Sequence, residues 1–151
     1  MAETNLTSNI ALEKLKKTLE NGGYTCVLSD GEQTVTITKR GVSPLIGLIE
    51  SGKSFVGFAA ADKVVGRAAA LLYALMGVTA LYAGVISASA LEVCKTNGIT
   101  VEYGKAVQYI INRNGDGVCP IEQATAQISD PPAAFEAIKQ RLAQLGASNI
   151  R

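Results

Sequence analysis

Nineteen consecutive residues, Ala68 to Ile86, carry no charge, and this run decides most of what the chain can become. It is long enough to be weighed as a membrane span, but its character changes midway. Ala and Leu dominate up to Met76; after Gly77 come Val78, Thr79, Tyr82, Val85 and Ile86. Straight-chain and small residues favour helix, whereas β-branched and aromatic ones favour strand, so the run reads as a buried helix turning into a buried strand. Such a pair belongs at the centre of a layered α/β domain, with no membrane segment required.

The flanking sequence fits that centre. Leu12, Leu15 and Leu19, with Ile10 and Ala11, form one apolar stripe on a helix from about Ser8 to Glu20, closed by Asn21, Gly22 and Gly23. Tyr24 to Ser29 and Thr34 to Thr38 then flank a turn-rich Asp30-Gly31-Glu32, which is a hairpin pattern. Ser43 caps and Pro44 opens a short helix to Ile49. Phe55 to Ala60 reads as a strand, and Asp62 as the cap of the apolar helix DKVVGRAAALLYALM. Val78 to Ile86 is the next strand, Ser87 or Ser89 caps a helix to Asn97, and Ile99 to Tyr103 is a further strand. A short strand at Tyr109 to Ile111, a loop, a helix to Ile128 and a final helix from Asp130-Pro131 complete the chain. Strands alternating with helices give a single α/β domain: three layers around a mostly parallel mixed sheet with an N-terminal hairpin.

Composition removes several functions. Fourteen basic and thirteen acidic side chains leave a formal charge of +1, too weak a field to hold nucleic acid or an anionic membrane, so neither is expected as a partner. There is no histidine, the commonest general base and transition-metal ligand. Cys26, Cys94 and Cys119 have no CxxC spacing, so no zinc knuckle or disulfide framework is expected, and free thiols fit a reducing cytoplasm. The N-terminus has acidic and polar residues where a secretory signal needs basic ones. Asn112, Asn114 and Asp116 imitate the start of a calcium loop, but Gln123 stands where the final carboxylate is needed. No cofactor or metal is expected.

Two segments gather the remaining chemistry. In AAADKVVGR, Ala59 to Arg67, the strand-to-helix turn is where open α/β sheets bind ligands. With the helix starting at Asp62, Lys63 and Arg67 lie one turn apart and both reach an anion near its N-terminus, or else run out to solvent. In NRNGDGVCPIE, Asn112 to Glu122, Cys119 sits at an N-cap, Pro120 at the first helical position, and Glu122 where a capping box would turn its carboxylate back. A helix N-terminus favours thiolate over thiol, which makes Cys119 a candidate nucleophile. Glu122 would orient it or exchange protons, and Asn112 or Arg113 would bind substrate. Cys26 and Cys94 read as core residues.

The order of elements, together with DKVVGRAAA and NRNGDGVCPIE, resembles a small bacterial family assigned a cytidine-deaminase-like fold, from about Leu12 to the final helix. Deaminases of this fold begin the helix after the third strand with a His or Cys ligand followed by Glu, and the next helix with Pro-Cys-x-x-Cys, to hold zinc. This chain has Ala60, Ala61, Asp62 and Lys63 at the first place and Ser87, Ala88, Ser89 and Ala90 at the second, so the zinc ligands are missing. A formyltransferase domain of purine synthesis and a formate-dehydrogenase accessory protein are similar in architecture and also lack the metal. The resemblance implies a pocket lined by Asp62, Lys63 and Ser87, with the Asn112 to Glu122 loop closing over it.

Three functions follow as expectations. The first is a cytoplasmic small-ligand domain for a nucleotide or other phosphorylated metabolite, with Lys63 and Arg67 on the anion. The second is a metal-independent thiol enzyme, for group or sulfur transfer, with Cys119 as nucleophile and Asp62 and Glu122 in support. The third is an interaction module whose apolar helices form a homodimer.

Overall fold

In the computed structural model, residues 2–111, 115 and 117–149 are described, with side chains over 12–111, 115 and 117–146. The elements run α1 (Ala2–Gly22), β1 (Cys26–Ser29), β2 (Thr34–Ile37), α2 (Ser43–Glu50), β3 (Ala59–Val65), α3 (Arg67–Met76), β4 (Ala80–Ser87), α4 (Ala88–Thr96), β5 (Thr100–Val107), α5 (Pro120–Thr125) and α6 (Pro131–Asn149). The strands form one sheet in the order β2-β1-β3-β4-β5. β1 lies antiparallel to both β2 and β3, while β3, β4 and β5 are parallel. The hairpin and the parallel crossovers are as the sequence patterns imply. Asn112, Arg113 and the rest of that loop except Gly115 and Gly117 lie outside the described residues up to Val118.

Two cores sandwich the sheet. On one face Leu12, Leu15 and Leu19 of α1 press on Val27, Ala59, Ala61, Ala80 and Tyr82. On the other, Leu28, Ala60, Leu81 and Ala83 meet the helices centred on α3, with α2, α4, α5 and α6 around it. Ala68 to Tyr73 are all buried, and so is Met76. The apolar helix thus lies inside the fold, where its uncharged sequence puts it. Among the described residues no helix is long and apolar enough to cross a membrane. At Gly77 (φ 85°) α3 ends in a left-handed residue, and the Val78 amide donates to the Tyr73 carbonyl at 3.1 Å, which turns the helix directly into β4.

The largest departure from expectation is around Asp62. Of the expected strand Phe55–Ala60 only Ala59 and Ala60 are extended sheet: Phe55 and Phe58 are a buried edge-on pair, 5.0 Å between ring centroids, preceding β3. β3 itself covers Ala59–Val65, and α3 begins at Arg67 with Gly66 as its extended N-cap. Alanines favour helix in isolation, but here three of them occupy a strand pressed between α1 and α3, where small side chains let both layers approach. Asp62 is consequently no helix cap, and Lys63 and Arg67 do not share a helical face.

One row of the sheet is irregular. Asp62 pairs with Ala83 and Val64 with Val85, and the ladder skips Lys63 and Gly84; across the next pair it skips Gly84 and Gly104. Leu81 and Ala83 join the core under α3, and so does Ile86, a spacing of two and then three, so β4 changes its buried side at this row. A Cβ on Gly84 would stand 2.7 Å from the Lys63 carbonyl oxygen, and one on Gly104 3.0 Å from the Gly84 oxygen. Replacing Gly84 by Ala should cost about 1–3 kcal/mol in urea unfolding, because backbone must yield. Gly47→Ala, in a helix with open space around it, should instead stabilise by about 0.5–1 kcal/mol.

Candidate functional site

Helices α3 and α5 hold each other by their opposite ends. The Glu122 carboxylate of α5 accepts from the first amides of α3, Arg67 N at 2.6 Å and Ala68 N at 2.9 Å. In return, the Arg67 guanidinium donates from Nε to the Thr125 and Ile128 carbonyls, both at 3.0 Å, and from Nη2 to the Ile128 carbonyl at 2.6 Å. Nη1 and Nη2 also reach the hydroxyls of Ser89 and Ser129. A carboxylate thus meets the positive end of α3 and a guanidinium meets the negative end of α5. The fit depends on Gly66: any Cβ there would collide with the Glu122 carboxylate. Glu122 does not turn back toward Cys119, whose amide donates to the Ile110 carbonyl and whose sulfur makes no cap bond. The expected capping box is absent because the carboxylate satisfies two donors of a longer helix instead.

Beside this clasp opens a cleft of about 460 Å³ between the start of β1, the loop after β2, the end of β3 and the segment leading into α5. Its walls are apolar, with Ile37, Val42, Leu45, Ile110 and Ile121 among them. Lys39, Arg40 and Lys63 line it, and all three are exposed with no ion pair among the described residues. Thr25 fixes two of them: its hydroxyl donates to the Lys39 carbonyl at 2.7 Å, and its carbonyl accepts from the Lys63 amide at 3.1 Å. Short backbone bonds therefore bring residues from two distant segments to one opening.

Asp62 and Cys26 also line the cleft and pair across the β1–β3 ladder. The Tyr73 hydroxyl donates to Asp62 Oδ2 at 2.6 Å, and Cys26 Sγ lies 3.1 Å from the same hydroxyl oxygen. A phenol has one hydrogen, so with it given to Asp62 the thiol is the donor in the second contact. Burial pushes the Asp62 carboxyl up to about 6, against the lowering effect of the Tyr73 bond and the Val64 and Lys63 amides. Burial also pushes Cys26 and Tyr73 far above their usual ranges, with the Asp62 charge adding to both, so they stay protonated donors. Cys94, on the buried face of α4, is raised to about 11 by desolvation and lies away from the cleft.

The structure thus brings Asp62, Lys63, Cys119 and Glu122 together in one cleft. It turns Arg67 away to the carbonyls of the α5 end. Ser87 is buried as the N-cap of α4, accepting from the Ala90 amide at 3.1 Å, and does not line the cleft. Sequence reasoning missed Lys39 and Arg40, signalled only by adjacent cations before Gly41 and the Pro44 helix start. It also missed Tyr73, whose signal was a single hydroxyl in a helix that after Arg67 is otherwise Ala, Leu and Met. No group of three or more Cys, Asp or Glu able to hold a metal occurs among the described residues.

Two stability effects should follow. Glu122→Ala should cost about 2 kcal/mol in urea unfolding by leaving two helix amides without an acceptor, and Glu122→Gln less. For Asp62, the folded state keeps a proton up to about pH 6 that the unfolded carboxyl releases near 3.8. The native state binds more protons between these values, so this group's contribution to stability falls as pH rises through the window. Thermal melts from pH 4 to 7 should show a downward component in the native protein that is missing in Asp62→Asn.

Comparison with known proteins agrees with this architecture. No curated protein matches the chain. The crystal structure of a DUF1893 family protein, TM1506 from Thermotoga maritima, superposes with a TM-score of 0.79 at 23% identity, covering 87% of this chain and 89% of that one, which is a likeness of fold. The family model TM1506, a domain of unknown function (DUF1893), matches residues 14–142, from the middle of α1 into α6, and the chain belongs to that family.

Proposed function

We propose that the cleft binds a small phosphorylated metabolite, of which a nucleotide is one case, on a cytidine-deaminase-like scaffold without the zinc site. The observation that carries this reading is the trio Lys39, Arg40 and Lys63: three exposed cations with no ion pair among the described residues, gathered at one opening above apolar walls. Arginine and lysine donors suit phosphate oxygens, and a cleft of this size suits a small ligand. Arg67, committed to the α5 carbonyls, has no part in it. The strand order supports the deaminase-like reading of the scaffold. At the strand-to-helix junctions themselves stand Val65-Gly66-Arg67 and Ser87-Ala88-Ser89, with no side chain that ligates zinc, so zinc-type deamination does not fit these residues.

Calorimetric titration with adenosine 5′-monophosphate, ribose 5-phosphate and inorganic phosphate tests the reading. Binding should weaken as salt rises. Lys63→Ala should lose about tenfold in affinity, and the triple variant with Lys39→Ala and Arg40→Ala should abolish measurable binding while the melting temperature holds. Unchanged affinity in the triple variant would sink the proposal. Cys119, half-buried in the same cleft, supports a second reading as a thiol nucleophile. That reading requires Cys119 to be alkylated faster than a free cysteine, and Cys119→Ser to lose a reaction while retaining binding.

A further inference from the structure

The charges of the cleft are divided by depth. Its cations are exposed, whereas Asp62 is held deeper, tied to the buried Tyr73 and Cys26. No lysine or arginine comes within salt-bridge reach of Asp62 among the described residues. The other carboxylate that lines the cleft, Glu122, spends both oxygens on the α3 amides. Asp62 is different: Oδ2 accepts from Tyr73 at 2.6 Å, and its remaining partners are backbone amides of its own strand, Val64 at a loose 3.3 Å and Lys63, so a carboxylate with about four acceptor positions keeps some for the cleft. A desolvated carboxylate with spare acceptor capacity and no protein cation is matched by a cation that the ligand brings.

We infer that the ligand is zwitterionic: its phosphate meets Lys39, Arg40 and Lys63, and a protonated nitrogen at its other end, an ammonium or amidinium, meets Asp62. This rests on the phosphate reading above and adds the class of the inner group. Cys26 and Tyr73 cannot take the cation's place, since each already gives its hydrogen along the chain toward Asp62. The groups facing Asp62 are Cys26 from β1, Tyr73 from α3, Lys63 beside it on β3 and, around the cleft, Cys119, Glu122, Lys39 and Arg40. The Asp62 carboxyl itself changes charge near pH 6.

Matched probes separate the two ends of the ligand. The full chain is titrated with ω-aminoalkyl phosphates of two to five carbons and with the alkyl phosphates of the same lengths, at pH 5 and pH 7.5. At one length or more the amine should bind about tenfold tighter at pH 7.5, the size expected of a charge-assisted contact. The ratio should shrink at pH 5, where Asp62 is protonated, and the same ratio measured on Asp62→Asn separates this from the titration of the phosphates themselves. Asp62→Asn should bring the ratio to about one with the alkyl phosphates unaffected. Tyr73→Phe, which removes a bond that lowers the Asp62 pKa, should move the midpoint of the pH dependence upward. Equal affinities within every pair, or a preference that survives Asp62→Asn, would overturn the inference while leaving the phosphate reading intact. If neither series binds, the inference falls, and the phosphate reading falls with it when adenosine 5′-monophosphate, ribose 5-phosphate and inorganic phosphate also fail to bind.

Discussion

Everything around the cleft depends on the reciprocal capping of α3 and α5. A helix buried on all sides has a specific problem at its N-terminus, where amides point along the axis without partners and water is excluded. Here the solution comes from fifty-five residues further along the chain, as the Glu122 carboxylate. The problem at the other helix, carbonyls at the end of a six-residue α5, is solved by the first side chain of α3. Because each contact satisfies groups that burial would otherwise leave orphaned, neither helix is complete without the other. The segment carrying Ile110, Ile111 and Cys119 is thereby held against the cleft as its wall.

The same logic separates structural charges from available ones. Arg67 and Glu122 look reactive in the sequence, yet their donors and acceptors are already engaged. Among the described residues Lys39, Arg40 and Lys63 have no ion pair at the opening, and Asp62 has none at depth, where a neutral donor chain and backbone amides meet it. Charges that a fold does not use for itself are the ones a ligand can use. Asp62 carries a cost in return, since its ionised form is less well solvated in the native state than in the unfolded chain.

Much of the architecture was legible from pattern. The uncharged run gave α3 and β4 with Gly77 between them, and the Leu12, Leu15 and Leu19 stripe gave the covering helix. Ser87 and Asp130 marked caps that the structure retains. The boundary at Asp62 was misread because alanines and an acidic residue before an apolar run imitate a capped helix, while the preference for strand came from neighbours on both sides of β3. Of the residues singled out in the sequence, Asp62, Lys63, Cys119 and Glu122 line the candidate cleft, while Arg67 and Ser87 do not. Chemistry-bearing side chains stand out in a sequence, but whether a carboxylate caps its own helix or a distant one is decided by tertiary packing. The contribution of Thr25, a hydroxyl that ties Lys39 toward Lys63, has no local signature at all.

The clasp also determines how the chain can be divided. A fragment ending before Glu122 would contain every strand of the sheet, yet it would leave the entry of its central helix open and an apolar flank uncovered. A fragment beginning at α5 would lack the guanidinium that completes its first short helix. The domain therefore has no internal seam at which a permuted terminus or an inserted partner domain could separate these two parts without loosening both. Tolerance for such rearrangement belongs instead to the Asp30–Gln33 turn, where a side chain of the turn itself satisfies the local amides and nothing distant is capped.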